Sequence, residues 1–512
     1  MARLLGVDIG TSGTKTVLFD EAGRILASAT AEYPLYQPHV GWAEQDPQDW
    51  WRATAATISE VLHKSGTRPH DVTGIGLSGQ MHGMVLLDAQ GQVLRKSIIW
   101  CDQRTQKQCD DITRIIGGER LIQITANPAI TGFTASKIMW VKQNEPQVYE
   151  KIAHILLPKD YVRYCLTGEF ATEVSDASGM QLLDVPNRRW SDEVLEKLEI
   201  QKSWMPQVYE SPVVSGKVSE RAARATGLAA GTPVVGGGGD QAAGAVGNGI
   251  VRQGIVSATI GSSGVVFAHT DKVAIDPKGR VHTFCHAIPG TWHIMGVTQG
   301  AGLSLKWLRD AFLGEERELA RALCIDPYDL INQEAARAQA GCRGLLFLPY
   351  MMGERTPHLD ARAKGVFFGL TAAHRRCDMI RSVMEGVGYS LLDCLNIIRQ
   401  LGCDADVVRA SGGGGRSPLW RQMLADMFGR DIATINSAEG PALGVALLAG
   451  VGTGVYASVP EACSAAIQEK SRQQPLAENA AVYARYYPIY QQLYHALKPS
   501  FDAVDAILAQ QA

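Results

Sequence analysis

Short apolar runs alternate with glycine-bearing turns along this chain, and one such arrangement occurs twice. Leu4–Val7 reads as a strand, Asp8-Ile-Gly-Thr-Ser-Gly-Thr-Lys15 as a turn, and Thr16–Asp20 as the returning strand. After the turn signal Glu21-Ala-Gly23, Arg24–Tyr33 alternates as a third strand. Asp46 followed by Pro47 predicts a helix start, with Trp50, Trp51 and Leu62 on its apolar face. Val72–Leu77 is the next strand and ends in Ser78-Gly-Gln-Met-His-Gly83. Ile98–Arg104 closes in a similar shape, and Thr131–Asn144 has helical spacing. Further on, Ile255–Ile260, Gly261-Ser-Ser-Gly264 and Val265–His269 repeat the first hairpin. A helix over Met379–Leu401, a strand over Asp406–Ala410 and the end Ser411-Gly-Gly-Gly-Gly415 repeat the later order. One internal duplication explains both echoes, so two similar α/β halves are expected, joined near Asp240.

At the join lies Val234–Val251, in which a β-branched pair is followed by four glycines, Asp240 and a run of small residues. A carboxylate at the end of such a turn can reach a ligand above the strand and act as a general base. It can equally serve as the N-cap of the helix that follows. The ends at Gln80, Met81, His82 and at Trp100, Asp102, Arg104 group polar and aromatic side chains as a small-molecule pocket does. The hydroxyls of Thr11, Ser12 and Thr14, with Lys15, suit a phosphate, although the P-loop pattern is absent.

Composition narrows the function classes. The 512 residues exceed one ordinary core, and 46% hydrophobic with 20% charged residues is a soluble globular balance. A net charge of −3 gives no reason to expect nucleic acid or an anionic membrane as partner, which leaves small molecules. Ten scattered cysteines without a CxxC pair and no export signal after Met1 point to a reducing cytoplasm. Cys285 and His286, with His282 nearby, read as a strand rather than a metal site. The uncharged stretch 440–460 is rich in Ala, Gly and Val and bounded by prolines, which fits a tightly packed helix better than a membrane span.

Two halves that each point a glycine turn inward would hold a ligand between them. Paired hydroxyl-rich hairpins suit an oligophosphate, the turn Gly412–Gly415 suits a flat ring, and Asp8 and Asp240 would face each other across the phosphates. The assembly predicts an ATP-dependent phosphotransferase, with Asp240 as base and Asp8 holding Mg²⁺ through water. The halves are expected to close before chemistry, because water is the competing nucleophile.

On these residues the chain resembles the FGGY carbohydrate kinases of the actin-like ATPase superfamily, over essentially its whole length. The family signatures correspond to Gly132–Asn144 (GFTASKIMWVKQN) and Gly365–Gly386 (GVFFGLTAAHRRCDMIRSVMEG). The resemblance implies an α/β fold of two duplicated actin-like (ribonuclease H-like) domains with a ligand cleft between them. Residues 1–246 would form the sugar side, 247–485 the nucleotide side and 486–512 a helical tail. Ser78–Gly83, Leu157-Pro-Lys-Asp-Tyr161 and Gly353-Glu-Arg-Thr-Pro-His358 are similar to the branch that phosphorylates D-xylulose; glycerol kinases have Arg-Glu in place of Met81-His82.

By resemblance, Asp240 takes the proton from the sugar's C5 hydroxyl, and Asp8 belongs to the Mg²⁺ and phosphate loop. Gln80, Met81, His82, Trp100, Asp102, Arg104 and Gln241 fall on the sugar side. Thr11, Ser12, Lys15, Gly261, Ser262, Gly302, Lys306, Gly413, Gly414 and Gly415 fall on the ATP side. Three positions depart from that branch: Cys101 replaces Asn, Gln241 replaces Asn, and Gly261-Ser-Ser-Gly264 replaces Gly-Thr-Ser-Gly. A buried sugar hydroxyl left without its partner costs about 1–3 kcal/mol, enough to redirect preference. D-xylulose is therefore the expected substrate, with D-ribulose, L-xylulose or a pentitol as rivals. A non-catalytic ATP- or sugar-binding sensor is the rival from another class. An actin-like filament former would leave Met81 and His82 without purpose. Symmetry statistics alone favour a homodimer.

Overall fold

The structure is a computed structural model that describes residues 2–436 and 439–511, the last three as backbone only. Its first sheet contains β1 (Arg3–Ile9), β2 (Gly13–Asp20), β3 (Ile25–Glu32), β4 (Val72–Gly79), β5 (Val214–Lys217), β6 (Pro233–Val235) and β7 (Gly238–Gly239). The order is β5-β6-β4-β1-β2-β3, with β7 pairing β4. The second sheet contains β8 (Gly254–Ile260), β9 (Gly264–Thr270), β10 (His282–Cys285), β11 (Trp292–Thr298), β12 (Ala405–Ser411), β13 (Asp431–Ile435) and β14 (Glu469–Gln473). Its order is β10-β11-β9-β8-β12-β13-β14.

The expected duplication extends to register. β1 runs antiparallel to β2 and parallel to β4, so Asp8 pairs with Lys15 on one side and Ser78 on the other. β8 does the same with β9 and β12, and Thr259 pairs with Val265 and Ser411.

Seven helices carry the argument: α1 (Pro47–Ser65), α2 (Thr134–Asn144), α3 (Asp240–Gly247), α4 (Ala301–Phe312), α5 (Arg376–Gln400), α6 (Gly440–Gly452) and α7 (Ala477–Gln511). α1 starts as its sequence dictates: the Asp46 side chain accepts from the Gln48 N–H, Pro47 opens the first turn, and left-handed Gly66 ends it. Trp50, Ile58, Val61 and Leu62 bury its apolar face. α2 begins three residues later than its spacing suggests. Phe133 is extended, and the Gly132 carbonyl is taken by the Lys137 ammonium instead of a helical N–H.

α6 comes from the second half of the chain yet packs on the first sheet. Its apolar residues join Leu4, Val17 and Phe19 in one core cluster. The approach is close: a Cβ on Gly6 would stand 2.0 Å from the Ala442 carbonyl oxygen, and one on Gly76 2.0 Å from that of Val445. α6 also crosses α3, where a Cβ on Gly247 would meet the Gly440 oxygen at 1.8 Å. Burial on several sides explains the missing charges of 442–450. Among the described residues no helix is long and apolar enough to cross a membrane. The tail helix starts at Ala477 and runs continuously through 486, with Tyr483, Tyr490, Leu493, Tyr494 and Phe501 seated in the second half's own core. His282–Cys285 is strand β10, as its alternation predicts, and no group of three or more metal-binding side chains occurs among the described residues.

Candidate active site

Asp240 is the first residue of α3, and Gly239 is the N-cap. The capping alternative for Asp240 therefore falls away, and its carboxylate lines a cavity of about 800 Å³. The preceding turn is held from below. Gly237 has φ +73°, and a Cβ there would lie 2.0 Å from the Leu77 oxygen, so the position accepts only glycine. The Gly239 N–H donates to Ser175 Oγ at 3.1 Å, and Arg163 donates to the Gly236 oxygen at 2.7 Å. Burial, with the charge of Asp8 second, pushes the Asp240 carboxyl up to about 7. A carboxylate so tuned can accept a hydroxyl proton near neutral pH.

Asp8, the penultimate residue of β1, acts on this group through its charge. Burial raises its pKa against the pull of Ser78 and Lys15, and its Oδ1 has no hydrogen-bond partner. An orphaned carboxylate oxygen close to a second acid fits Mg²⁺, which takes one or two carboxylates and completes its shell with water and phosphate oxygens. Lys15, opposite Asp8 in register, reaches across to Glu439 at 2.5 Å, ahead of α6. Thr11 is tied to the sugar side, since Trp100 Nε1 donates to its hydroxyl at 2.9 Å. Ser12 lies in the same turn between β1 and β2.

In the second half, Gly261, Ser262, Gly302, Lys306, Gly413 and Gly414 line a cavity of about 500 Å³. Gly415 lines the Asp240 cavity instead, and Gly413 and Arg416 border both, so the two spaces adjoin. The Gly302 N–H donates to the Gly261 oxygen at 2.8 Å, which docks the start of α4 on the β8–β9 turn. Tyr328, Asn332 and Trp420 complete the walls; nothing in the sequence reading marked them.

The sugar-side residues separate into two groups. Gln80 donates to Gln45 Oε1 at 2.7 Å and leaves its own Oε1 unpartnered. Buried Met81 packs in one cluster with Phe133, Phe267 and Phe284, and the His82 ring stacks obliquely 4.6 Å from Phe133. His82 Nδ1 pairs with the Gly179 oxygen at 2.8 Å, and burial pushes its pKa well down, so the ring is neutral. Lys137 clamps this corner by donating to the oxygens of His82 and Gly132, both at 2.7 Å. Trp100 is 40% exposed toward Thr11, and Gln241 lines the Asp240 cavity.

Asp102 and Arg104 form the other group. Arg104 donates to both Asp102 oxygens, pairs with Glu44 at 2.8 Å, and its guanidinium lies 3.5 Å over the Trp42 ring. Asp102 also accepts from the Ala43 N–H at 2.6 Å. Both side chains are buried and engaged, so they brace the Trp100 turn rather than open on a ligand.

Family models agree with this arrangement: the N-terminal domain of the FGGY carbohydrate kinases matches residues 3–247 and the C-terminal domain 256–453. The chain belongs to the FGGY family of carbohydrate kinases. The kinase is 39% identical to a xylulose kinase of Escherichia coli over 97% of its own length and 99% of the relative. It is 31% identical to a gluconokinase of Bacillus licheniformis, over 98% and 97%. The crystal structure of a xylulose kinase from Rhodospirillum rubrum superposes with a TM-score of 0.91 at 30% identity, covering 98% of this kinase and all of that chain. The two-domain actin-like fold follows.

Sequence reasoning also missed the support beneath the kinase's Gly236–Gly239 turn. Lys159, Asp160, Arg163, Glu173 and Asp176 form an ionic cluster that is entirely buried. Glu173 accepts from the Ser175 hydroxyl at 2.9 Å, and Ser175 holds the Gly239 N–H. The segment Leu157–Tyr161 signals it only as a motif, because charges this close in sequence ordinarily face water.

Proposed function

We propose that this kinase transfers the γ-phosphoryl group of ATP to the C5 hydroxyl of D-xylulose, with Asp240 as the general base. The observation that carries the reading is the Asp240 carboxyl, with a pKa raised to about 7, in a cavity that adjoins the glycine-lined one. The smaller cavity takes the nucleoside, with Gly413 and Gly414 as its floor and Ser262 toward the phosphates. Lys15 and the hydroxyls of Thr11 and Ser12 approach those phosphates from the first half. Asp8 would hold Mg²⁺, and the ion would supply charge neutralisation for the transferring group. Met81, His82, Gln80 and Trp100 position the sugar so that its terminal hydroxyl meets Asp240, which receives the proton as the new ester bond forms.

The xylulose kinases among its relatives support the sugar, since similarity runs the whole length of both chains. A second reading, another pentulose, a polyol or an aldonate, is favoured by Gln241 in the cavity, by half-buried Cys101 beside Trp100 and by the gluconokinase relative. ADP release with Mg-ATP across D-xylulose, D-ribulose, L-xylulose, pentitols, glycerol and gluconate decides between them, with Asp240→Ala as control. D-xylulose is expected to give the highest kcat/KM. A different winner would replace the substrate and leave the base assignment standing, and turnover no higher than the control would sink both.

A further inference from the structure

Arg355 belongs to the segment Gly353–His358, and none of the steps above uses it. Its backbone is firmly fixed. The neighbouring Glu354 is buried, and its Oε2 accepts from the hydroxyls of Thr298 at 2.6 Å and Ser390 at 3.3 Å. Oε1 accepts from the N–H groups of Gln299 at 3.0 Å and Arg355 at 2.7 Å. Thr356 donates its N–H to the Val297 oxygen at 2.9 Å and its hydroxyl to the Arg280 oxygen at 2.7 Å. A carboxylate so saturated leaves nothing for the Arg355 side chain. Among the described residues the half-buried guanidinium has no hydrogen bond and no ion pair.

Its direction is defined by what lies near it. Arg355 Nη2 is 4.0 Å from the point a Cβ on Gly132 would occupy, and that point is 3.0 Å from the Trp100 carbonyl oxygen. The absent side chain of Gly132 keeps this gap open between the Trp100 turn and the guanidinium. His82 and His282 both feel the Arg355 charge, whereas Asp240 feels that of Asp8 and not of Arg355. The guanidinium thus comes from the second half against the Trp100–Gly132 corner that Lys137 also clamps. The carboxylate whose charge it feels is that of Glu354, which is already occupied by the four donors above, and the Phe133 ring cluster with His82, His282 and Phe284 offers it no anion.

A guanidinium has five N–H donors and no acceptor, and leaving it unpaired in a partly dry site is costly. Its partner must be rich in acceptors and arrive with the ligand. We propose that Arg355 is a specificity residue that donates across the cleft to the hydroxyketone end of the bound ketose, the C2 carbonyl and its neighbouring hydroxyl. The assignment rests on the kinase reading above. It makes the substrate itself a bridge: the first half holds the hydroxyl that reacts, and the second half reads the opposite end.

The test compares kcat/KM for D-xylulose with that for the two pentitols made by reducing its carbonyl, in the full-length wild type, Arg355→Met and Arg355→Lys. Arg355→Met is expected to lower the D-xylulose value about 10- to 100-fold, chiefly through KM, and to change the pentitol values by less than about threefold. Arg355→Lys should recover part of the loss, while the KM for ATP moves by less than about twofold. Equal losses on ketose and pentitols, or a D-xylulose value within about twofold of wild type, overturn the proposal. Should Arg355→Met not fold, the ketose-to-pentitol ratio of Arg355→Lys decides in the same way. A wild type that turns over no ketose fails the kinase reading and takes this assignment with it. A wild type active on D-xylulose beside an unaffected Arg355→Met fails this assignment alone.

Discussion

Thr259 stands in the second hairpin where Asp8 stands in the first. Each is followed by Ile-Gly, and each pairs in parallel with a serine that precedes a glycine, Ser411 for Thr259 and Ser78 for Asp8. Thr259 and Ser411 satisfy each other at 2.7 Å, whereas Asp8 keeps an oxygen without a partner. Two copies of one hairpin have therefore diverged into a neutral member and an acidic one. Thr259 and Ser411 line the same cavity as Asp240, whereas Asp8 acts on Asp240 through its charge, and of the two copies only the acidic one carries a carboxylate for a cation.

The pH dependence follows from that pairing. Asp240 works as a base only when ionised, so kcat/KM should rise with pH and reach half its plateau near about 7. Asp8→Asn removes a charge that raises the Asp240 pKa, so the acid limb of the residual activity should move to lower pH. A limb that stays in place, in a pH–rate profile of both proteins, would disconnect the two acids.

Asp240→Asn should lower kcat by about 10²- to 10⁴-fold with sugar binding retained. It should also stabilise the fold in a pH-dependent way. A carboxyl with a raised folded-state pKa keeps its proton in the native protein where the unfolded chain has already lost it. Stability thus falls as pH rises from the unfolded value of 3.8 to about 7, and the cost is fully present above that. The melting-temperature gain of Asp240→Asn should accordingly be larger at about pH 8 than at about pH 5, as scanning calorimetry can measure.

Two glycines of the nucleotide cavity should respond differently to alanine. A Cβ on Gly413 meets nothing within 4 Å and would project into the space assigned to the nucleoside. Gly413→Ala should raise the KM for ATP and leave the melting temperature alone. A Cβ on Gly302 would stand 2.4 Å from the Gly261 oxygen, so Gly302→Ala should disturb stability and ATP binding together.

Arg163→Met strips a cation from a cluster in which both Asp176 oxygens already lack hydrogen-bond partners. Breaking a buried ionic set in this way costs about 3–5 kcal/mol, which a denaturant titration would register. Because Arg163 also holds the Gly236 oxygen, turnover should fall in whatever protein folds. A variant as stable and active as wild type would remove the cluster from the account of the site.

The hairpins, the glycine turns and the start of α1 are legible in the sequence because local rules set them. Alternation, a capping Asp and a following Pro are decided within a few residues. Asp240 could be singled out but not assigned, since base and N-cap differ only in the backbone at Gly239. Asp102 and Arg104 resembled ligand-binding residues through their company at a strand end. Their charges are spent on each other and on Glu44, a partner 58 positions upstream of Asp102 and invisible to local pattern. Arg355 sits in a motif the sequence displays, but its unpaired state depends on Gly132 and on a carboxylate already filled by three other residues and the N–H of Arg355 itself.

At the crossing of α3 and α6 the contact is main chain on main chain, with a Cβ on Gly444 placed only 1.9 Å from the Ala243 oxygen and one on Gly247 1.8 Å from that of Gly440. Ala242, Ala243 and Val246 of α3 share a core cluster with Leu443, Val445 and Ala446 of α6 around that contact, so the glycines and not side-chain size set how near the two axes come. Any substituent at either glycine would force the two helices apart and carry Asp240, the first residue of α3, away from its place in the cavity.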